Sequence, residues 1–187
     1  TYINKIEFCL PSKVENNFEI VKKLKIKSGL KIIEKIGIKK RRVSKISEST
    51  IDLATKVGKK INKNILKKID FIIFCSQTPD YIIPSSSSLL QKNLNLSNKV
   101  GTIDLIQGCS GYNYGINIAD SLIKSKQANN VLLITSDTYS KFISSSDIST
   151  RLIFSDGSSA TLVSSSKNRS AFKIIDHDRG TDGSGSN

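Results

Sequence analysis

The sequence predicts an α/β layered fold, a sheet with helices on both sides. Two runs, Phe71-Ile72-Ile73-Phe74-Cys75 and Val131-Leu132-Leu133-Ile134, are apolar throughout, as strands covered on both faces require. Between the apolar runs lie stretches whose apolar residues recur at helical spacing. A third run, with Ile103, Leu105 and Ile106, leads into Gly108-Cys109-Ser110-Gly111 and then into a pattern of Tyr112, Ile116, Ala119 and Ile123 that marks one helix face.

Taken in order, Ile3 to Leu10 alternates loosely and stops at Pro11, so it reads as a first strand. Phe18 to Ile36 is helical with an interruption near Ser28-Gly29. The basic run Lys39-Lys40-Arg41-Arg42 reads as a solvated loop. Ser47 to Asn64 predicts one helix, with Glu48 in its first turn and Lys59, Lys60 and Lys63 late, the polarity a helix dipole favours. A loop bracketed by Pro79 and Pro84 follows the Phe71 to Cys75 strand, and Ser85 or Ser86 caps a helix carrying Leu89, Leu90 and Leu94. Ala160 to Val163 is a further strand after the Ser155-Asp156-Gly157 turn, and Phe172 to Ile175 is the last. No repeat of solenoid length is present.

The 187 residues suffice for one well-buried domain or for a part of something larger. Both ends are expected to be cut, since Thr1 is not an initiator Met and Gly180 to Asn187 is rich in turn residues. No apolar run is long enough to span a membrane, and no signal peptide is visible. The cysteines Cys9, Cys75 and Cys109 form no C-x-x-C pair and have no His cluster, which argues against zinc and disulfides and for a reducing cytoplasm. The formal net charge of +13 invites a nucleic-acid reading, but no aromatic residues interleave the basic runs as base stacking needs. An acidic or phosphate-bearing partner fits the charge equally well.

Cys109 sits at the strand-to-helix turn, where unpaired backbone N–H groups and a helix dipole favour a thiolate nucleophile. On position alone, a buried structural Cys is the better reading.

Several motifs now match in order: Gly37 to Arg42, Gln77 to Ser85, Asp104 to Gly115, Asp137-Thr138, Phe154-Ser155-Asp156-Gly157 and Asp182-Gly183-Ser184. The sequence resembles the amino-terminal half of a β-ketoacyl-acyl-carrier-protein synthase III, a thiolase-like condensing enzyme, over residues 1–187, with the carboxy-terminal half absent. The resemblance implies one αβ half of the thiolase-like fold, with a mixed five-stranded sheet flanked by helices. It implies that Cys109 carries an acyl group as a thioester and that the acyl-enzyme condenses with a malonyl-carrier thioester after loss of carbon dioxide. The substrates are acyl-CoA or an acyl carrier protein, without a resident cofactor or metal. A cytoplasmic homodimer is implied, with no nucleic-acid partner. Ile83 is a candidate for the acyl-pocket wall of the neighbouring subunit, or a residue held extended before Pro84. The catalytic His and Asn of the family belong to the other half, and His177 matches neither, so it is expected to be structural or exposed.

Three departures stand out. The family's adenine-stacking Trp and Arg correspond here to Lys31 and Ile148, which weakens the case for a CoA-bound primer held that way. Ser155 replaces a usual Gly, and the loop Ile143 to Asp147 is unlike the primary-metabolism pattern, which suggests a specialised acyl group. The alternatives are an acyltransferase that uses Cys109 without condensation and a non-catalytic carrier-docking domain whose basic surface binds an acidic partner.

Overall fold

The computed structural model describes residues 1–184, so the last three residues of the turn-rich end lie outside the described part. Eight strands and seven helices are described: β1 (Tyr2–Cys9), β2 (Lys13–Asn16), α1 (Asn17–Lys23), α2 (Gly29–Ile36), β3 (Lys40–Val43), α3 (Thr50–Gly58), α4 (Lys63–Leu66), β4 (Phe71–Cys75), α5 (Ser86–Asn93), β5 (Gly101–Leu105), α6 (Gly111–Lys124), β6 (Asn130–Asp137), α7 (Ile148–Arg151), β7 (Gly157–Ser164) and β8 (Phe172–Lys173). Six strands form one mixed sheet in the order β5-β4-β6-β7-β1-β8, one more than the five expected. The additional edge is β8, a two-residue strand that pairs Phe172 with Ile3 and Lys173 with Tyr2. Strand β4 runs parallel to β5 and β6, whereas β7 is antiparallel to β6 and to β1.

The continuous apolar runs are explained by layers on both faces. Ile72 and Phe74 of β4, with Leu132 and Ile134 of β6, pack against α3 and α5 through Ala54, Val57, Leu90 and Leu94. Ile73, Val131 and Leu133 point the other way, onto Ile116, Ala119 and Ile123 of α6. Alternation is present, but both faces are buried, so it leaves no polar signal. A smaller cluster of Ile20, Val21, Ile33 and Leu152 joins α1 and α2 to the chain after α7.

Two local expectations change. The basic run is not a solvated loop: β3 pairs antiparallel with β2, placing Glu15 opposite Arg41. Arg41 is buried, its guanidinium donating to Glu15 Oε2 at 2.8 Å, to Asn17 Oδ1 at 2.9 Å and to the Phe154 carbonyl at 2.9 Å. Pairing partners 26 residues apart supply what the local charge pattern conceals. The single helix expected over 47–64 is split into α3 and α4. Ser49, not the region of Glu48, is the N-cap of α3 and forms a capping box with Asp52, while Asn62 accepts from Asn64 N–H and restarts the chain as α4. As expected, Gly29 begins α2 after the break between the first two helices.

Candidate active site

The site forms at the carboxyl ends of the parallel strands β4, β5 and β6, the edge of an α/β sheet from which loops reach a ligand. Three loops meet there: 76–85 after β4, 106–110 after β5 and 138–147 after β6.

Cys109 is a free, exposed thiol in the turn between β5 and α6, which overturns the reading of a buried structural Cys. The turn closes through Gly111 N–H donating to the Gly108 carbonyl at 2.8 Å. Ser110 is the N-cap of α6 but makes no side-chain cap bond, and among the described residues no acceptor takes the Cys109 N–H. Backbone donors and the positive end of a 14-residue helix therefore face the same exposed corner as the thiol.

Two glycines set how closely α6 approaches the sheet. A Cβ on Gly111 would overlap Sγ of Cys75, and one on Gly115 would lie 2.6 Å from Leu133 Cδ1. Cys75, at the end of β4, is buried beneath the turn and donates from Sγ to the Gln107 carbonyl at 3.6 Å. Burial pushes its thiol pKa up, the hydrogen bond to Gln107 opposes this, and the Asp137 charge adds to the rise. Cys75 is thus a buttress rather than a reactive thiol.

The carboxylates of the matched motifs each tie loops to elements. Asp137 Oδ1 accepts from Gln77 N–H at 2.8 Å, Thr78 N–H at 3.0 Å, Thr78 Oγ1 at 2.9 Å and Ser76 Oγ at 3.1 Å. Asp80 accepts from the first N–H groups of α3, Thr50 at 3.1 Å and Ile51 at 2.8 Å. Asp104 of β5 does the same for α5, taking Ser86 N–H at 2.6 Å and Ser87 N–H at 2.8 Å. Ser85 is the N-cap of α5 as expected, but its side chain makes no cap bond; the cap comes from Asp104. Asp156 accepts from Ser44 N–H and Ser140 N–H. The sequence order of these motifs marks them as a set, yet their partners lie up to 112 residues away.

Ile83 lies at the tip of the 76–85 loop with 87% of its surface exposed, before a cis bond to Pro84. A cavity of about 90 Å³ behind the loop is lined by Tyr81, Ile82, Leu105 and Ile106 but not by Ile83. His177 is half-buried, Nε2 lying 2.8 Å from Asp120 Oδ2 on α6, which is the structural role expected. Ser110 and the first turns of α6 line a groove of about 590 Å³ closed on its far side by residues 173–180, His177 among them. Among the described residues, no group of three His, Cys, Asp or Glu side chains could hold a metal ion, and no helix is long and apolar enough to cross a membrane.

A mixed sheet layered between helices, with an exposed Cys where a parallel strand turns into the helix of one face, is a thiolase-like arrangement. Residues 103–183 match the family model of 3-oxoacyl-[acyl-carrier-protein] synthase III. A β-ketoacyl-[acyl-carrier-protein] synthase III of Chlamydia caviae is 37% identical over 178 residues, covering 94% of this chain and 52% of the relative. One from Caldanaerobacter subterraneus is 35% identical over 179 residues, covering 94% and 53%. Among solved structures, the Aquifex aeolicus 3-oxoacyl-[acyl-carrier-protein] synthase III superposes with a TM-score of 0.80 at 34% identity, over 90% of this chain and 55% of that one. The chain is similar to the β-ketoacyl-acyl-carrier-protein synthases III and spans about half the length of the curated relatives it matches.

Proposed function

We propose that this chain supplies the acyl-accepting half of a β-ketoacyl-acyl-carrier-protein synthase III-type enzyme. The observation that carries the proposal is the exposed Cys109 thiol at the β5–α6 turn with an unpartnered N–H beside it. The Cys109 thiolate attacks the carbonyl carbon of an acyl thioester, and collapse of the tetrahedral intermediate breaks the carbon–sulfur bond to the carrier, which leaves as a thiolate and takes up from solvent the proton that Cys109 gave up on ionising. During that step the Cys109 N–H and the amino end of α6 face the developing oxyanion. The acyl-enzyme is then attacked by the enolate that forms when a malonyl-carrier thioester loses carbon dioxide, which frees Cys109. The His and Asn of the second step are contributed from outside these 187 residues.

An acyl carrier protein is the proposed partner, and acyl-CoA or acyl carrier protein the acyl donor, with no resident cofactor. A cytoplasmic homodimer is the proposed state, on the family resemblance. The exposure of Ile83 supports a role in the acyl pocket of a neighbouring subunit.

Incubating the full-length protein with acyl thioesters and mapping the adducts by mass spectrometry tests the reading. Acylation is expected on Cys109 and absent in Cys109→Ala. Modification of Cys9 or Cys75 with Cys109 untouched would overturn it.

A further inference from the structure

The turn between α1 and α2 is held in one shape by its own backbone. Lys25 N–H donates to the Lys22 carbonyl at 3.1 Å and Ile26 N–H to the Val21 carbonyl at 3.0 Å, with Lys25 in the left-handed region at φ 52°. These two bonds form a Schellman stop, and its apolar contact is supplied by Ile26 and Val21, which share one cluster. Gly29 opens α2 so close to Val21 that a Cβ there would lie 2.5 Å from Val21 Cβ. Ile20, Val21 and Ile33 are buried on the inner side of this turn.

Two leucines take no part in that packing. Leu24, which ends α1, is 43% exposed, and Leu30, in the first turn of α2, is 61% exposed. Neither joins the cluster of Ile20, Val21, Ile33 and Leu152. Around them stand Lys22, Lys23, Lys25, Lys27 and Lys31, all exposed, and no Asp or Glu occurs between Glu19 and Glu34. Among the described residues, none accepts a hydrogen bond or forms an ion pair with these ammonium groups. Elsewhere lysines have counter-charges: Lys13 pairs with Glu15, Lys56 with Glu48 and Lys124 with Asp120.

The chemistry of this tip selects its partner. Unpaired positive charge calls for an anionic surface and exposed aliphatic groups for an apolar layer, and a bilayer face offers both side by side. Lysine stems are apolar, so their ammonium groups can stay at the level of the lipid phosphates while neighbouring leucines go deeper. Nucleic acid would call for stacking aromatics, and residues 19–36 contain none. A stable protein interface takes about 20–30 residues a side, more than the tip over residues 22–31 offers.

We infer that residues 22–31 dock this protein on an anionic membrane surface, with Leu24 and Leu30 entering the headgroup layer and the lysines facing the lipid anions. The inference is independent of the role of Cys109.

Co-sedimentation of the full-length protein with phosphatidylcholine vesicles, with and without about one third phosphatidylserine, tests it. Binding is expected to the anionic vesicles, about tenfold or more weaker to the neutral ones, and reduced by salt. Lys23→Gln/Lys25→Gln/Lys27→Gln is expected to weaken it about thirtyfold and Leu24→Ser/Leu30→Ser about tenfold. Lys59→Gln/Lys63→Gln/Lys67→Gln removes the same charge around α4 and is expected to change binding by less than about twofold, which separates the tip from the overall charge. All the replaced side chains are exposed, and circular dichroism checks the fold of each variant. No binding to anionic vesicles, an equal loss in both lysine variants, or no effect of the leucine pair would overturn the inference. So would vesicle binding that survives tip substitutions which abolish acyl transfer from a carrier protein, a result that would assign the tip to an acidic protein instead.

Discussion

Gly111 lies directly against Sγ of Cys75, so the first residue of α6 and the last residue of β4 leave no room for a Cβ between them. The contact sets the height of the turn that carries Cys109. Gly111→Ala is expected to cost about 1–3 kcal/mol through overpacking and to slow acylation of Cys109 about tenfold or more. In the double variant Cys75→Ala/Gly111→Ala the overlap with sulfur is gone, and a good part of both losses returns. Chemical denaturation and acylation rates for the four proteins of the cycle measure the coupling, and strict additivity would show that the two residues do not interact.

The three cysteines are expected to differ in alkylation. Cys109 is exposed, Cys9 is half-buried and Cys75 is buried with its pKa raised. With iodoacetamide near pH 8, Cys109 reacts about tenfold or more faster than Cys75, since only an accessible thiolate is alkylated. Peptide mapping over time gives the order, and faster labelling of Cys75 would contradict the packing described.

Asp137 ties the 76–80 loop to the end of β6 through four hydrogen bonds to one oxygen. Asp137→Ala leaves those donors unpaired and is expected to destabilise the fold by about 2–4 kcal/mol, while Asp137→Asn, which keeps an acceptor oxygen, costs about half of that. Equilibrium unfolding in urea separates the two.

Acid is expected to weaken the contact between α6 and residue 177. Burial raises the pKa of Asp120, but hydrogen bonds from Lys124, Thr1 and His177 prevail and lower it from 3.8 to about 2. A carboxyl depressed on folding contributes stability that is present above pH 3.8 and disappears as pH falls through about 2. Asp120→Asn should therefore be about 1–2 kcal/mol less stable than the unmodified protein at pH 7, a difference that closes towards pH 2. A gap that persists at pH 2 would point to packing instead of charge.

The strands β4, β6 and β7 and the helices α5 and α6 are legible in the sequence because burial on one or both faces imposes apolar runs of recognisable length, whereas β1 is legible from Ile3, Ile6 and Phe8 even though Ile6 and Phe8 are exposed. The Cys109 turn is legible for a related reason: a strand-length run, two glycines and a helix face follow one another within 21 residues, from Ile103 to Ile123. Strand β3 is not legible, since its lysines and arginines resemble a surface loop until Glu15 stands across from Arg41. The break after α3 is hidden in the same way, because Gly58 fits the apolar face even though the helix ends there.

Local order along the chain thus establishes the α/β class, the strand–turn–helix around Cys109 and the chemistry that a thiol there can perform. What folding adds is every relationship between distant residues. The exposure of Cys109, the Cys75 support under Gly111 and the capping of α5 by Asp104 all depend on segments that meet only after the sheet has assembled. Periodicity and turn chemistry act between near neighbours and so are written in order, whereas contact, burial and hydrogen-bond partnership depend on distance in space, which the order of residues does not specify.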